Sequence, residues 1–405
     1  MQTGRGCWLT EPGGRRLLDL SATWSAVALG HGHPAVASAV AAALANPPGA
    51  GTLSAVHPDS IGLAEDLLAL VPGDGERRVY FGHSGSDAND VAIRCARHAT
   101  GKPTVLAFEH GYHGGFGVAM RASGVHLDAG NVGHDPSILF APYPDPYRGT
   151  TVQQSLAAVT EALSSGRIAC VIVEPMLSDG GIVVPPDGFL RELATACSAS
   201  AALLICDEVK VGLGRTGLLH AFAHDGITPD LVTFGKALGG GLPMSATVGP
   251  AWVLDQPVAS ALLTTAGNPV CTAAARAVLR VLTTEQLADR AAEAGDRLMA
   301  GLQKACAGLP VVGDIRGRGL AIGIDLVRDP TTRERSPDLA ALTVYRLWEL
   351  GAVAFYVGGN VVEITPPLII SDAEIDHAVE LLAHAISDAA AGTVDPAVAE
   401  RYAGW

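Results

Sequence analysis

Short runs rich in β-forming residues alternate with stretches of helical periodicity between residues 77 and 249, and no other feature of the 405-residue sequence constrains the fold as strongly. Strands that alternate with helices form a mostly parallel sheet with helices on both faces. The run Ala202–Cys206 is continuously apolar, which is typical of a strand buried on both faces. Seven runs are predicted to be strands: Arg78–Phe81, Thr104–Phe108, Ser137–Phe140, Ile168–Val173, Ala202–Cys206, Leu231–Phe234 and Ser245–Val248.

Beyond Pro269 the pattern changes to long helical stretches with short β segments, which predicts a smaller α+β domain. The predicted fold class is therefore α/β, with a large domain built on a mostly parallel, seven-stranded sheet flanked by helices, and a smaller α+β domain from both chain ends. We expect residues 1–45 to join the small domain, residues 46–268 to form the large domain, and residues 269–405 to complete the small domain.

The charge balance excludes one class of partner. The sequence has 27 Lys and Arg against 41 Asp and Glu, a formal charge of −14, and it lacks the basic stripe that a nucleic-acid partner requires. Charged residues make up only 17% of the chain, against about 25% in average soluble domains, which predicts that another subunit covers part of the surface.

Cysteine and histidine usage bears on location and on metals. The seven cysteines are widely spaced and form no CxxC pair, which indicates reduced thiols and a cytoplasmic location. No segment suits a signal peptide or a membrane span, so no membrane partner is expected. His31 and His33 lie close together, but no third ligand has metal spacing, so no metal site is expected.

A turn rich in glycine and serine separates the strand that ends at Phe81 from a helix whose apolar residues recur at i, i+3, i+4 and i+7 from Ala88. A helix start offers free backbone N–H groups and the positive end of the helix dipole. With the hydroxyls of Ser84 and Ser86 beside it, this start suits a phosphate. An ordinary serine N-cap would explain the same residues.

Two further strand ends carry ionisable side chains. Asp207 and Glu208 follow the apolar run 202–206, at the strand end where open α/β sheets bind ligands; the alternative is a carboxylate that caps a turn. Lys236 follows the predicted strand Leu231–Phe234 and has glycines at 235 and 239–241. Backbone this permissive beside a lysine indicates that a ligand approaches a reactive amine.

A phosphate-binding helix start, an aspartate at a strand end and a glycine-flanked lysine are together the requirements of pyridoxal 5'-phosphate (PLP). At this point the sequence resembles the class III aminotransferases, the ω-type branch of the fold-type I PLP enzymes, over roughly residues 17–385. The matching stretches, in order, are Leu29–Pro34, Ser84–Asn89, Tyr112–Gly114, Glu174–Pro175, Asp207–Val209, Gly212–Gly217, Phe234–Lys236, Gly267–Pro269, Arg316–Leu320 and Pro366–Leu368.

The resemblance implies specific contacts to the PLP ring. Lys236 would carry the cofactor covalently, and Asp207 would bind its pyridine nitrogen. Val209 would pack on one ring face and Tyr112 would stack on the other, with His113 supporting the tyrosine loop.

The resemblance also implies that Gly85 and Ser86 bind the cofactor phosphate. Thr264 lies four residues before Asn268, where the family has a threonine that reaches the phosphate of the neighbouring subunit. A homodimer with shared active sites is therefore expected. In the implied mechanism Asp207 keeps the ring nitrogen protonated, and Lys236 moves the proton between substrate and cofactor. A carbonyl substrate then collects the amino group in a ping-pong cycle.

The expected substrate pocket departs from the family pattern. Trp24 and Glu174 match pocket-lining positions, but Glu363 stands three residues before Pro366, where many members have an arginine that holds a substrate carboxylate. A glutamate there would repel a carboxylate and attract an ammonium. The sequence therefore favours a cationic amine, a polyamine or an amino sugar, as in transaminases of aminoglycoside antibiotic biosynthesis. The alternative is a glutamate that is turned away from the pocket into a loop hydrogen bond.

Two alternatives remain open. An aminomutase or epimerase would use the same lysine and return the proton or amine elsewhere, and the sequence does not separate these reactions from transamination. A catalytically idle PLP-binding protein would be expected to lack Lys236 or Asp207, and both are present.

Overall fold

The computed structural model describes residues 1–53 and 55–402. The strands, in chain order, are β1 Thr3–Arg5, β2 Trp8–Thr10, β3 Arg16–Asp19, β4 Arg77–Gly82, β5 Thr104–Phe108, β6 Ile138–Ala141, β7 Ile168–Val173, β8 Leu203–Asp207, β9 Leu231–Phe234, β10 Ser245–Pro250, β11 Val312–Arg318, β12 Ala321–Asp329, β13 Glu334–Arg335, β14 Ala352–Val353, β15 Phe355–Val357 and β16 Val361–Ile364.

The helices, in chain order, are α1 Ala22–Ser25, α2 Pro34–Ala45, α3 Pro58–Leu70, α4 Gly85–Thr100, α5 Gly117–Arg121, α6 Gly124–Asp128, α7 Val152–Ser164, α8 Phe189–Ala199, α9 Ala251–Leu254, α10 Pro269–Thr284, α11 Leu287–Cys306, α12 Pro337–Leu350, α13 Asp372–Ala390 and α14 Pro396–Tyr402. Ala221–Asp225 and Lys236–Gly239 form short 3₁₀ turns. Among the described residues, no helix combines the length and the apolar character needed to cross a membrane.

The central sheet contains all seven predicted strands, in the order β4-β10-β9-β8-β7-β5-β6. Strand β10 runs antiparallel to both of its neighbours, and the remaining pairs are parallel. The predicted mostly parallel, seven-stranded sheet is confirmed.

The central strands are buried on both faces, as their continuous apolar sequence predicts. Along β8, Leu204 and Cys206 belong to one apolar cluster, whereas Leu203 and Ile205 belong to another on the opposite face. Helix α8 contributes to the first cluster and α4 to the second. Successive side chains of a strand point to opposite faces of the sheet. When helices cover both faces, every side chain of the strand is buried, so the strand is apolar throughout.

Two smaller sheets complete the fold. One has the order β1-β2-β3-β14, and its parallel β3–β14 pair joins the N-terminal residues to the segment that follows α12. The other has the order β11-β12-β16-β15. Helix α10 follows the strands of the central sheet in sequence and packs on α2 and α3, which precede them. The expected domain boundaries at residues 45 and 268 stay a prediction.

The register of the central strands positions the site. Val173 pairs with Cys206 and Asp207 pairs with Thr233, so the neighbouring strands β7, β8 and β9 end at one edge of the sheet. Glu174 and Lys236 follow the ends of β7 and β9. The side chains that the sequence placed at separate strand ends therefore lie along the same edge.

Candidate active site

Asp207 is the last residue of β8, and its carboxylate is buried, with 3% of the residue exposed. One oxygen, Oδ2, accepts hydrogen bonds from Asn89 Nδ2 at 2.7 Å and pairs with His113 Nδ1 at 2.8 Å. The other oxygen, Oδ1, accepts from the backbone N–H of Val209 at 3.0 Å. A histidine ring, a side-chain amide and a backbone N–H therefore hold this carboxylate in place.

Asn89 orients the partners of Asp207. Its Nδ2 also donates to the carbonyl of His113 at 2.8 Å, and its Oδ1 accepts from the Thr233 hydroxyl at 2.6 Å. Each polar atom of the Asn89 amide therefore has a partner, and the direction of the amide is fixed by Thr233 on the adjacent strand. His113 belongs to the tyrosine loop, as expected, but its ring contacts Asp207.

Lys236 opens the 3₁₀ turn that follows β9, with a left-handed φ of 37°. Burial lowers the pKa of its amine; nearby Asp179 opposes this effect and nearby Lys210 adds to it. The ammonium lies 6.0 Å from the centre of the Tyr112 ring. An amine with a lowered pKa is more often neutral and able to accept a proton.

Helix α4 begins at Gly85, where the phosphate site is expected. Ser84 caps it: its hydroxyl accepts from the N–H of Asp87, and Asp87 accepts from the N–H of Ser84 at 3.0 Å. A Cβ at position 85 would lie only 2.6 Å from Cγ1 of Val209, so glycine is required there. The Ser86 hydroxyl accepts from the N–H of Gly115 and keeps its own proton for a ligand.

Glu174 is buried and holds the loops on either side of it. It accepts from the N–H of Tyr112 at 2.9 Å and from the N–H of Ser178 at 3.1 Å, and it contacts the Ser178 hydroxyl. Burial raises the pKa of this carboxyl to about 7, and the nearby charge of Asp207 adds to the effect. These contacts give Glu174 a loop-holding geometry, and its expected role in substrate binding stays a prediction.

Glu363 forms an ion pair within the chain, which the sequence did not predict. Its Oε2 lies 2.9 Å from the ammonium of Lys210, which also contacts Asp179 at 2.6 Å, and Oε1 accepts from Thr365. The charge of Glu363 is therefore paired within the chain, and its expected role in substrate binding stays a prediction. Burial opposes the charge on Lys210, but Asp179 and Glu363 outweigh it and raise the pKa of Lys210.

Trp24 lies beside this ion cluster. Its ring stacks on Phe355 at 4.8 Å between centroids, and the Lys210 ammonium lies 4.7 Å from the Trp24 ring centroid. The turn that carries it, Ala22–Ser25, is left-handed at all four residues. Trp24 therefore contacts Lys210, whose charge acts on Lys236. The expected role of Trp24 as a pocket-lining residue stays a prediction.

Thr264 lies on the surface of the chain, with its carbonyl close to Gly51. The adjacent Thr265 hydroxyl lies 3.0 Å from a ring nitrogen of His83, in the turn before α4. The contact of Thr264 with a neighbouring subunit's cofactor stays a prediction.

The donor set at this edge fits PLP. Helix α4 offers N–H groups and a hydroxyl to a phosphate, buried Asp207 offers a carboxylate to a protonated ring nitrogen, and Lys236 offers an amine. The Val209 side chain lies against Gly85 and Gly235, and the Tyr112 ring lies 6.0 Å from the Lys236 ammonium; their contacts with the cofactor ring stay a prediction. A family model for class III aminotransferases matches residues 1–386.

This chain belongs to the class III aminotransferase family. Enzymes of this family use PLP, so PLP is the cofactor of this chain, and the expected family, fold type and enzyme class are confirmed. The family acts on small-molecule amines and carbonyl compounds.

Relatives of the family differ in the reaction that their names describe. A leucine/methionine racemase of Thermococcus litoralis is 37% identical over 85% of this chain and 80% of its own length. An acetylornithine aminotransferase of Mycobacterium tuberculosis is 37% identical over 97% of this chain and 92% of its own length. The structure of an (S)-enantioselective omega-transaminase from Thermomicrobium roseum is 31% identical, with a TM-score of 0.87 over 95% of this chain and 92% of that one.

The sequence analysis missed four residues that the structure places at the site: Asn89, Asp179, Lys210 and Thr233. Asn89 lies inside a quoted motif, and its position on the apolar face of α4 was the available signal, because a buried amide needs partners. Lys210 is a lysine three residues after Asp207, in an otherwise apolar stretch. Asp179 and Thr233 gave no local signal.

Proposed function

We propose that this enzyme transfers an amino group from an amine-bearing substrate to a carbonyl acceptor in two half-reactions, with Lys236 moving the proton. The observation that carries the proposal is the position of the Lys236 amine, with its pKa lowered by burial, at the sheet edge that also holds Asp207. PLP, when bound, supplies an electron sink that acidifies the C–H bond beside the substrate nitrogen.

The residues of the chain divide the remaining tasks. Asp207, held by Asn89 and His113, accepts a hydrogen bond from the ring nitrogen and keeps it protonated. The start of α4 binds the phosphate through backbone N–H groups. Lys236 Nζ accepts the proton from the substrate carbon and returns it elsewhere, because its pKa lies closer to neutrality than that of an exposed lysine.

The pairing of Glu363 with Lys210 changes the substrate argument. The repulsion that argued against an α-amino acid is removed, so α-amino acids become suitable donors. The two carboxylates and one ammonium of the Asp179–Lys210–Glu363 cluster still leave a net charge of −1, which attracts a second ammonium. A donor panel for this enzyme therefore includes α-amino acids together with polyamines and amino sugars.

The test is a half-reaction screen on the purified holoenzyme. Each donor is added without a carbonyl acceptor, and loss of the cofactor's visible absorbance reports transfer of the amino group. Lys236→Ala is expected to lower the rate by about 10⁴-fold or more, since it removes both the covalent anchor and the base. Lys304→Ala, at an exposed position on α11, is the matched control. Near-normal turnover of Lys236→Ala would contradict the proposal.

A second candidate function, racemisation or epimerisation of an α-amino acid, is favoured by Asp179. Its carboxylate is near enough to Lys236 for each to affect the pKa of the other, and it retains about 20% exposure, whereas its partner Lys210 and the Glu363 carboxylate, which also pairs with Lys210, are buried. Two acid–base groups beside one carbon allow a proton to leave from one side and return from the other. The racemase among the relatives is consistent with this candidate.

Deuterium exchange separates the two candidates. A single enantiomer of each donor is incubated with the holoenzyme in D₂O without a carbonyl acceptor, and the product is analysed for deuterium at the α-carbon and for configuration. Inversion with many turnovers supports racemisation, and Asp179→Asn should abolish inversion while leaving exchange with retention. Stoichiometric conversion to a carbonyl product without inversion contradicts the second candidate.

We also infer a homodimer in which Thr264 reaches the phosphate of the partner's cofactor. Exposed apolar side chains support it, because Leu53, Val56 and Leu262 lie in the two segments that meet at Gly51 and Thr264. A cytoplasmic location, expected from the cysteines, stays a prediction; all seven are free and buried.

A further inference from the structure

The segment Ser178–Val183, which we term the Asp179 loop, is a tight and strained turn. Leu177 and Val183 exchange backbone hydrogen bonds of 3.0 and 2.9 Å at its base, and the N–H groups of Gly181 and Ile182 both donate to the Ser178 carbonyl. Ile182 has a φ of 51° although it is β-branched and fully buried. A left-handed conformation is unfavourable for a non-glycine residue, above all for a β-branched one, and it persists only where the surroundings enforce it.

Arg316, on β11, supplies that enforcement from outside the central sheet. Its Nε donates to the Ile182 carbonyl at 3.0 Å, and Nη2 donates to the Gly181 carbonyl at 2.6 Å. Its Nη1 contacts Asp314 at 3.1 Å and buried Asp325 at 3.0 Å. The guanidinium is therefore fixed by carboxylates at one end and holds two consecutive carbonyls of the loop with the other.

The beginning of the loop is held by a second segment of the chain. The N–H of Gly358, between β15 and β16, donates to the Asp179 carbonyl at 2.9 Å, and Arg335 donates to the Gly358 carbonyl at 2.7 Å. The only side-chain contact described for Asp179 itself is the 2.6 Å ion pair with Lys210. The backbone of the loop thus decides where the Asp179 carboxylate lies.

We propose that Arg316 is a positioning residue that fixes the Asp179 carboxylate beside Lys210 and Lys236, and thereby sets the electrostatic environment of the Lys236 nitrogen. The proposal rests on the proposed function in one respect: Lys236 is the amine that carries the cofactor. Arg316 has no described contact with Lys210 or Lys236, so its effect passes through the Asp179 loop.

Electrostatics predicts the direction in which the pKa of Lys236 changes when the Asp179 carboxylate moves. Asp179 raises the pKa of Lys236, so displacement of the Asp179 carboxylate lowers it. Direct loss of the Arg316 charge acts in the opposite direction, because removal of a nearby cation stabilises a protonated amine. The charged and titratable groups that face Lys236 are Asp179, Lys210, Asp207, Glu174 and Tyr112.

The experiment is a spectroscopic pH titration of holoenzymes without substrate, which follows the visible absorbance of the bound cofactor. Asp179→Asn and Arg316→Gln are both expected to move the midpoint down by about one pH unit relative to the parent. Arg318→Gln is the matched control, since Arg318 lies on the same strand and pairs with exposed Asp187, and its midpoint should not move.

Two outcomes would overturn the proposal: an unchanged midpoint in Arg316→Gln, or an upward movement, which is the direct effect of charge loss. If Arg316→Gln does not fold, Arg316→Lys is the second variant. It keeps the positive charge, but an ammonium does not reproduce the fork of donors that holds the Gly181 and Ile182 carbonyls, so a downward movement is again expected, whereas an unchanged midpoint contradicts the proposal. A Lys236→Ala variant that keeps the visible absorbance of the parent holoenzyme contradicts the assignment of Lys236 itself, which separates failure of the proposed function from failure of this inference.

Discussion

At the scale of single residues, Lys210 decides the electrostatics of the pocket. Its buried ammonium joins Asp179, 31 residues before it, to Glu363, 153 residues after it. Removing one partner of a buried ion cluster leaves an unpaired charge, which is costly. Lys210 also lies close enough to Lys236 to contribute to the lowered pKa of that amine. One side chain therefore pairs with Glu363, in the expected substrate pocket, and tunes the pKa of the expected base.

The first residue-scale prediction concerns Asp207. In the holoenzyme, Asp207→Asn should retain the cofactor but lower the rate of amino transfer by about 10²-fold or more, because a neutral amide does not hold the ring proton as a carboxylate does. Single-turnover absorbance kinetics give the rate. Asp225→Asn is the control. Asp225 is also buried, and its carboxylate accepts backbone N–H groups at the start of α8 and not from the residues around Asp207. Equal rates for Asp207→Asn and the parent would refute the role.

The second residue-scale prediction concerns Glu174 and the pH dependence of the stability of the folded chain. Its carboxyl has a pKa of about 7 in the folded chain against an ordinary value of 4.5, so between these pH values the folded state holds a proton that the unfolded state has released. The contribution of Glu174 to stability is therefore present below about pH 4.5 and is lost as pH rises toward 7.

Denaturant unfolding at several pH values measures this contribution. The free energy of unfolding of Glu174→Gln should depend less steeply on pH between 4.5 and 7 than that of the parent. Glu161→Gln, at an exposed position on α7, should retain the parent's slope. Identical slopes for Glu174→Gln and the parent would rule out the assignment.

At the scale of elements, α1 is the clearest departure from ordinary backbone. Its four residues all have positive φ values, between 47° and 66°. Asp19 supports the turn by accepting from the N–H groups of Ser21 and Ala22 at 2.9 and 3.0 Å and pairing with His31 at 2.7 Å. This strain is maintained where the turn presents Trp24 to Phe355 and Lys210.

The element-scale prediction is that Thr23→Gly stabilises the protein by up to about 1 kcal/mol. Glycine avoids the left-handed penalty at φ 53°, although it loses more entropy on folding, and both bonds described for Thr23 use its backbone atoms. Thermal and denaturant unfolding measure the change. Thr23→Ala keeps the Cβ and should give no gain. Destabilisation by glycine would show that the turn is not strained at Thr23.

At the scale of the whole molecule, a single chain leaves large apolar side chains exposed. Leu53, Val56 and Leu262 have exposed fractions of 53%, 67% and 61%, although apolar residues are abundant enough to fill the core. They flank the contact between Gly51 and Thr264, close to the turn that opens α4. A second copy of the chain that covers this area would bring its Thr264 toward the phosphate site.

Complementation tests the shared site. Lys236→Ala and Thr264→Ala are each expected to impair the homodimer, the second by weakening retention of the cofactor. In a mixed dimer, one site contains both substitutions and the other contains neither, so mixing should restore up to half of the parental activity per dimer. A tagged, co-purified heterodimer provides the sample. A mixed dimer with no more activity than the Thr264→Ala homodimer would show that Thr264 acts within its own chain.

The sequence by itself determined the central sheet and, through its resemblance to the family, the cofactor. The strands were predictable because a strand buried on both faces must be apolar throughout, as in Leu203–Cys206. The places of Asp207 and Lys236 were predictable because each stands beyond a strand end with a local pattern of its own, whereas their roles toward the cofactor stay predictions.

Only the tertiary structure decided the charge of the substrate pocket. A local pattern carries no information about which distant charges meet, so Glu363 looked unpaired until β16 and the turn after β8 brought it to Lys210. The same holds for Asp179, whose position depends on Arg316, 137 residues further along the chain. Ion pairs between distant segments are set by the packing of elements, because the cost of burying a charge is offset only by the partner that the fold supplies.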